Sequence, residues 1–409
     1  MTKLKYISGG VTAAKGFTAA GTHAGIRKNS VKKDLALVYT AKPAEIGGVF
    51  TQNLYAAAPV NYCRRIVECG TASALVVNSG NANAVTGDQG VEDTLTMASA
   101  VAAELNIAPE QVLVCSTGVI GVNLPMEVIK AGIKVIAPIL SPDGGNDAAQ
   151  AIMTTDTVLK EVAVEITLSD GRVATIGGMA KGSGMIHPNM ATLLCFITTD
   201  APIKSAVLQT AVKYAADRSF NMLTVDGDTS TNDSMLVMSN GLIGGKMIEE
   251  NTADYELFTE ALTAISIDLT KMMAADGEGA NHLLEIEVVN AFSREEAARA
   301  AKAVAASNLV KAAFFGEDAN WGRIICAVGY AGITLPENKT DMTISSDGGS
   351  IAVMQDGAGL VFDEILAKKI LSAKDIRVYI NLKCGAFSAT AWGCDLSYEY
   401  VRINGDYRT

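Results

Sequence analysis

The chain has 409 residues, with 44 acidic against 33 basic side chains and a formal net charge of −11. That balance leaves no basic surface for nucleic acid or anionic lipid, and its simplest meaning is solubility. With 49% hydrophobic residues and a length beyond one simple core, two or three packed subdomains are expected.

The opening MTKLKYISGG carries positive charge but no apolar stretch. Neither a secretory signal nor a membrane span is therefore expected, and the protein is read as cytoplasmic. Seven cysteines (Cys63, Cys69, Cys115, Cys195, Cys326, Cys384, Cys394) form an odd set without a CxxC pair. Most lie in apolar runs such as VLVCS and LLCFI, so they read as buried, reduced thiols.

Apolar strand-like runs follow at 74–78, 112–116 and 162–168, and a buried-looking strand is expected over 193–198. Helical patterns span 91–105, 125–138, 203–216, 255–274, 294–306 and 363–372. The clearest is SREEAARAAKAVAAS, where Ser293 and Glu296 form a capping box. Strands interleaved with helices and glycine-rich turns predict α/β layers with sheets in the middle.

Two segments carry chemistry. STGVIG, 116–121, follows an apolar strand and precedes a helix starting near Pro125. A strand-to-helix loop of this kind can aim the Thr117 hydroxyl and a Gly118 amide at a developing oxyanion. From spacing alone, Gly118 serves equally well as an ordinary turn glycine. KGSGMIHPNMATLLCFITTDA, 181–201, runs from a glycine turn with Lys181 into Ala191, Thr192 and the strand. Cleavage between Ala191 and Thr192 would give Thr192 a free α-amine beside its own hydroxyl, a nucleophile that brings its own base. Cys195 would point to the opposite face from Thr192 and is better placed in the core. Lys181 could meet a carboxylate, although most lysines in glycine loops are simply solvated.

Two other segments resemble sites. DGDTSTNDS, 226–234, has calcium-loop character but lacks glycine at its sixth position and glutamate at its twelfth, which excludes an EF-hand. Its polar side chains are expected to line a cleft. GLIGGKM, 241–247, is one residue short of a phosphate loop and has no Ser or Thr after Lys246. With three histidines and no ligand-spaced cluster, no metal site is expected.

The segment GSGMI-x-PNMAT-x-L resembles the signature of the ornithine acetyltransferase (glutamate N-acetyltransferase) family. KGFTAAGTHAGI (15–26), GGVFTQN (47–53), NSGNANAVTG (78–87), STGVIG, AIMTTDT (151–157), VDGDTSTNDS (225–234), GEDANWGRI (316–324) and NGDYRT (404–409) resemble the family in the same order. The resemblance implies a layered α/β/β/α-type sandwich of the self-cleaving aminopeptidase/amidase group. Cleavage would leave an α chain, 1–191, and a β chain, 192–409. Within the latter, 192–282 completes the main layered domain and 283–409 forms a smaller C-terminal α/β subdomain. It also implies Thr192 as nucleophile, Thr117 and Gly118 as the oxyanion pair, and Thr155, Lys181, Thr192, Glu278, Asn404 and Thr409 as substrate contacts. Glu278 suits the cationic end of ornithine. His187, five residues before Thr192, is tempting as a general base, but the family often carries a small residue there, so it is a departure and reads as local variation.

The implied reaction is acetyl transfer from N2-acetyl-ornithine to glutamate through an acetyl-threonine, in arginine biosynthesis, by an α2β2 assembly. No cofactor or metal is required, and acetyl-CoA is left open as a donor. Transfer to water, as in an amidase or aminopeptidase, and non-catalytic amino-acid binding are the alternatives.

Overall fold

The structure, a computed structural model, describes residues 4–28, 30–187, 193–335 and 339–406. Its first nine strands are β1 (Lys5–Ile7), β2 (Phe17–Thr22), β3 (Leu35–Phe50), β4 (Thr71–Asn81), β5 (Val112–Val119), β6 (Lys160–Thr167), β7 (Val173–Lys181), β8 (Leu194–Thr199) and β9 (Ser234–Ser239). They form one sheet in the order β1-β6-β7-β8-β9-β3-β4-β5, with β2 added on β3. Pairing is antiparallel except for the parallel pairs β4–β5 and β8–β9. β8 and β9 are buried along their whole length, so their sequences LCFITT and SMLVMS carry apolar residues on both faces.

Seen from β8 and β9, the sheet separates two cores. Cys195, Ile197, Met235 and Val237 join one core, with residues of α5 (Ser205–Ala216) and α6 (Ala253–Ala275). Leu194, Phe196, Leu236 and Met238 join the other, with β2 to β5, α1 (Ala58–Cys69), α2 (Gly87–Leu105), α3 (Met126–Ile136) and α4 (Gly145–Ile152). The period of two along each strand sends alternate side chains to opposite cores. The order helix, strand, strand, helix is thus present, and its two strand layers are halves of one continuous sheet. The join is β3, whose 16 residues pair β9 through Glu45–Phe50 and β2 through Leu35–Thr40. Its register on β4 breaks between Tyr39 and Ala44, and Pro43, which has no N–H to give, falls inside that break.

The C-terminal part adds β10 (Leu283–Ala291), β11 (Asp341–Ser346), β12 (Gly349–Gln355), β13 (Ala358–Gly359), β14 (Asp375–Asn381) and β15 (Phe387–Cys394). They form a second sheet in the order β13-β12-β11-β14-β10-β15. α7 (Arg294–Ala306), α8 (Asn308–Phe315), α9 (Trp321–Gly329) and α10 (Glu364–Leu371) accompany it, and α11 (Tyr398–Asp406) follows. Its alternating strands LLEIEVVNA and DIRVYIN send Leu284, Ile286, Val288, Ile376, Val378 and Ile380 into the core that α5 and α6 also enter. Ser293 caps α7 by accepting from the Glu296 amide at 3.2 Å. The Glu296 carboxylate, however, accepts from the amide and hydroxyl of Thr334 and thereby ties down a distant loop.

Cys63, Cys115, Cys195 and Cys394 are buried, whereas Cys69 and Cys326 are exposed. The exposed pair corrects the expectation of uniform burial: Cys69 ends α1, and Cys326 faces away from the buried Ile324, Ala327 and Val328 of α9. Among the described residues no helix is long and apolar enough to cross a membrane.

Candidate active site

The C-terminal ends of β4, β5 and β7 meet the N-terminal ends of β8 and β9 around a cavity of about 120 Å³. Its walls hold Thr117 and Gly118 from β5, Lys181 from the end of β7, Thr155 from the loop after α4, Glu278 from the loop after α6, and Asn404 from α11. Six residues singled out in the sequence therefore share one cavity, although up to 287 positions separate them in the chain. Leu193, the chain neighbour of Thr192, also lines it. Ala191, Thr192 and Thr409 lie outside the described residues.

Local backbone chemistry explains much of the wall. Gly118 has φ +132°, and a Cβ there would stand 2.3 Å from the Gly80 carbonyl carbon and 2.5 Å from the Asn81 nitrogen. Only glycine allows β5 to lie this close to the end of β4. Asn232 braces the same loop, its Nδ2 donating to the carbonyls of Ser116 at 2.8 Å and Ala82 at 2.6 Å. The Ser116 hydroxyl in turn donates to Asn78 at 2.6 Å. A Cβ on Gly184 would come 2.3 Å from Glu278 Oε2, so that glycine makes room for the carboxylate. Asn404 Nδ2 donates to the same Oε2 at 2.8 Å.

Lys181 supplies the positive charge. It is 9% exposed, and its Nζ donates to Thr117 Oγ1 at 3.5 Å. Burial pushes its ammonium below the usual lysine range, and the Asp156 carboxylate partly offsets this. Burial alone would raise Asp156, but Lys181 and Lys160 outweigh it and hold that carboxyl well below the usual range. The cavity thus combines a hydroxyl, a glycine backbone, a buried cation and a carboxylate capable of receiving an amine.

The sequence reading missed Thr154, Ala82, Ile120 and Met185 in the lining: three are apolar, and nothing local sets the Thr154 hydroxyl apart from that of Thr155 beside it. Ser230, Thr231, Asn232 and Asp233 line the cavity as the polar loop suggested. His187 does not: its Nδ1 is 2.9 Å from Thr224 Oγ1, and it faces another cleft with Arg294 and Lys302. The 241–247 glycine segment is a surface turn whose Gly244 and Lys246 carbonyls accept from Arg172.

Fold and cavity define a layered α/β protein with a compact pocket lined by groups of both charges, suited to a small polar molecule. The ArgJ family model matches residues 18–409. The arginine biosynthesis bifunctional protein ArgJ of Caldanaerobacter subterraneus subsp. tengcongensis is 51% identical over 406 residues, 99% of this chain and 100% of its own. Its counterpart from Symbiobacterium thermophilum is also 51% identical, over 99% of this chain and 100% of its own. A solved ornithine acetyltransferase complexed with ornithine from Mycobacterium tuberculosis is 43% identical, with TM-score 0.43, covering 47% of this chain and 100% of its own. The chain belongs to the ArgJ family.

Proposed function

We propose that the protein transfers an acetyl group from N2-acetyl-ornithine to glutamate in arginine biosynthesis, after cutting its own chain between Ala191 and Thr192. In processing, Thr192 Oγ attacks the Ala191 carbonyl and the peptide C–N bond breaks, leaving an ester that water opens. The products are an α chain ending in a carboxylate and a β chain beginning with an α-amine. In catalysis that amine takes the Thr192 hydroxyl proton as Oγ attacks the acetyl carbonyl. The Thr117 hydroxyl and Gly118 amide stabilise the oxyanion, ornithine leaves with the proton, and an acetyl-threonine ester remains. The glutamate amine then attacks that ester, giving N-acetyl-glutamate and regenerating Thr192.

The ester preserves acyl-transfer potential, so no cofactor or metal enters the scheme. The single observation carrying it is the convergence of Thr117, Gly118, Thr155, Lys181, Glu278 and Asn404 on one cavity that Leu193 also lines. Lys181 suits the substrate carboxylate and Glu278 the side-chain amine of ornithine. Thr192 and Thr409 complete the proposed contacts. We assign the working form as α2β2, in the cytoplasm, with acetyl-CoA as a second donor to be assayed.

The test is product analysis with N2-acetyl-ornithine, with and without glutamate. Ornithine and N-acetyl-glutamate forming in equal amounts, only when glutamate is present, is the expected result. Acetate release at the same rate without glutamate would replace transfer by hydrolysis.

A further inference from the structure

Beneath the cavity lies an ion triad that touches none of its open space. Lys160 is 1% exposed, and its Nζ lies 2.8 Å from Asp156 Oδ1 and 2.5 Å from Asp276 Oδ2. Asp156 also accepts from the Gly182 amide at 2.7 Å and the Thr154 amide at 2.9 Å. Asp276 accepts from the Thr157 amide at 3.0 Å and from its hydroxyl. The main-chain carbonyl of Asp276 accepts from Ser183 Oγ at 2.6 Å, and the Ser183 carbonyl accepts from the Glu278 amide at 2.9 Å.

These bonds close a ring around three segments distant in the chain: 154–157, 182–183 and 276–278. Each segment bears or adjoins a cavity residue, namely Thr155, Lys181 and Glu278. Charged hydrogen bonds in a dry interior are short and directional, so they fix the relative height of the three loops. The oxyanion strand β5 is held separately, through Asn232 and Asn78.

We infer that Lys160, Asp156 and Asp276 are positioning residues that set the spacing of the substrate-binding loops and act on affinity more than on the chemical step. The inference rests on the acetyl-transfer reading above. A shift of about 1 Å in such loops costs up to roughly 10²-fold in the efficiency of a well-aligned site.

The test compares Asp276→Asn, Thr157→Val and Thr157→Ser with wild type in steady-state acetyl transfer, with thermal unfolding measured alongside. Thr157 is exposed, so its variants should fold even if Asp276→Asn does not. The expected result is KM for N2-acetyl-ornithine raised about tenfold or more in Asp276→Asn and several-fold in Thr157→Val, with kcat changed less. Thr157→Ser, which keeps the hydroxyl, should stay near the wild-type KM. A KM unchanged in Thr157→Val and in whatever Asp276→Asn folds, with activity lost only in proportion to unfolded protein, would overturn the inference. Wild type without acetyl transfer would instead sink the functional reading on which it rests.

Discussion

Gly118 carries the sharpest single-residue prediction. Its left-handed φ and its contact with the Gly80–Asn81 backbone leave no room for a methyl group, and flexible side chains cannot absorb the clash. Gly118→Ala should therefore lower kcat by roughly 10²-fold or more if the proposed oxyanion donor is displaced, which initial-rate kinetics would show. Gly184→Ala should act differently. It would turn Glu278 out of its bond with Asn404 and raise KM for the acetyl-ornithine donor while leaving kcat closer to wild type. His187 gives a pH test. Burial first, then the Lys302 charge, lower its pKa to about 4, with Asp226 opposing. Between pH 4 and 6.5 the unfolded chain binds a proton there that the folded chain does not, so stability falls as pH falls through that window. His187→Gln should flatten the fall in melting temperature between these pH values, and an unchanged pH slope would remove His187 from the account. Residues with distinctive chemistry or glycine spacing were legible in the sequence. Thr154 and Ile120 were not, because a cavity wall needs only shape and proximity, and neither leaves a local pattern.

Helices with strong end signals stand close to their sequence limits. α7, read as 294–306, is Arg294–Ala306, and α6, read as 255–274, extends to Ala253–Ala275 with Thr252 accepting from the Tyr255 amide. Ser293→Ala should cost about 1 kcal/mol through the lost cap, measurable by denaturant unfolding. Glu296→Ala should act elsewhere, loosening the Thr334 loop rather than the α7 terminus, and hydrogen exchange would separate the two. The capping-box spacing was legible, but the partner that Glu296 chooses was not, because Thr334 is 38 residues away. β3 was the hardest element to foresee. Pro43 and the exposed residues around it look like a loop, and only the pairing of both its ends reveals one long bent strand.

On the scale of the molecule, one folded sheet brings strand ends from both halves of the chain to a single cavity. The alternation of strands and helices predicted layers, whereas the fold at β3 depends on long-range pairing that no local window contains. β7 and β8 flank the 182–193 segment and pair with each other from Lys181↔Leu194 onward. A cut within that segment would therefore leave the two chains joined through an antiparallel ladder and two shared cores, and the assembly should survive processing.

Denaturing mass spectrometry of the purified protein, beside Thr192→Ala and after exposure to N2-acetyl-ornithine without glutamate, tests the central claim most directly. The expected result is a pair of fragments, one ending at Ala191 and one beginning at Thr192, the second gaining one acetyl group, with a single unmodified chain in the variant. An intact, unacetylated chain in the wild type as well would contradict it.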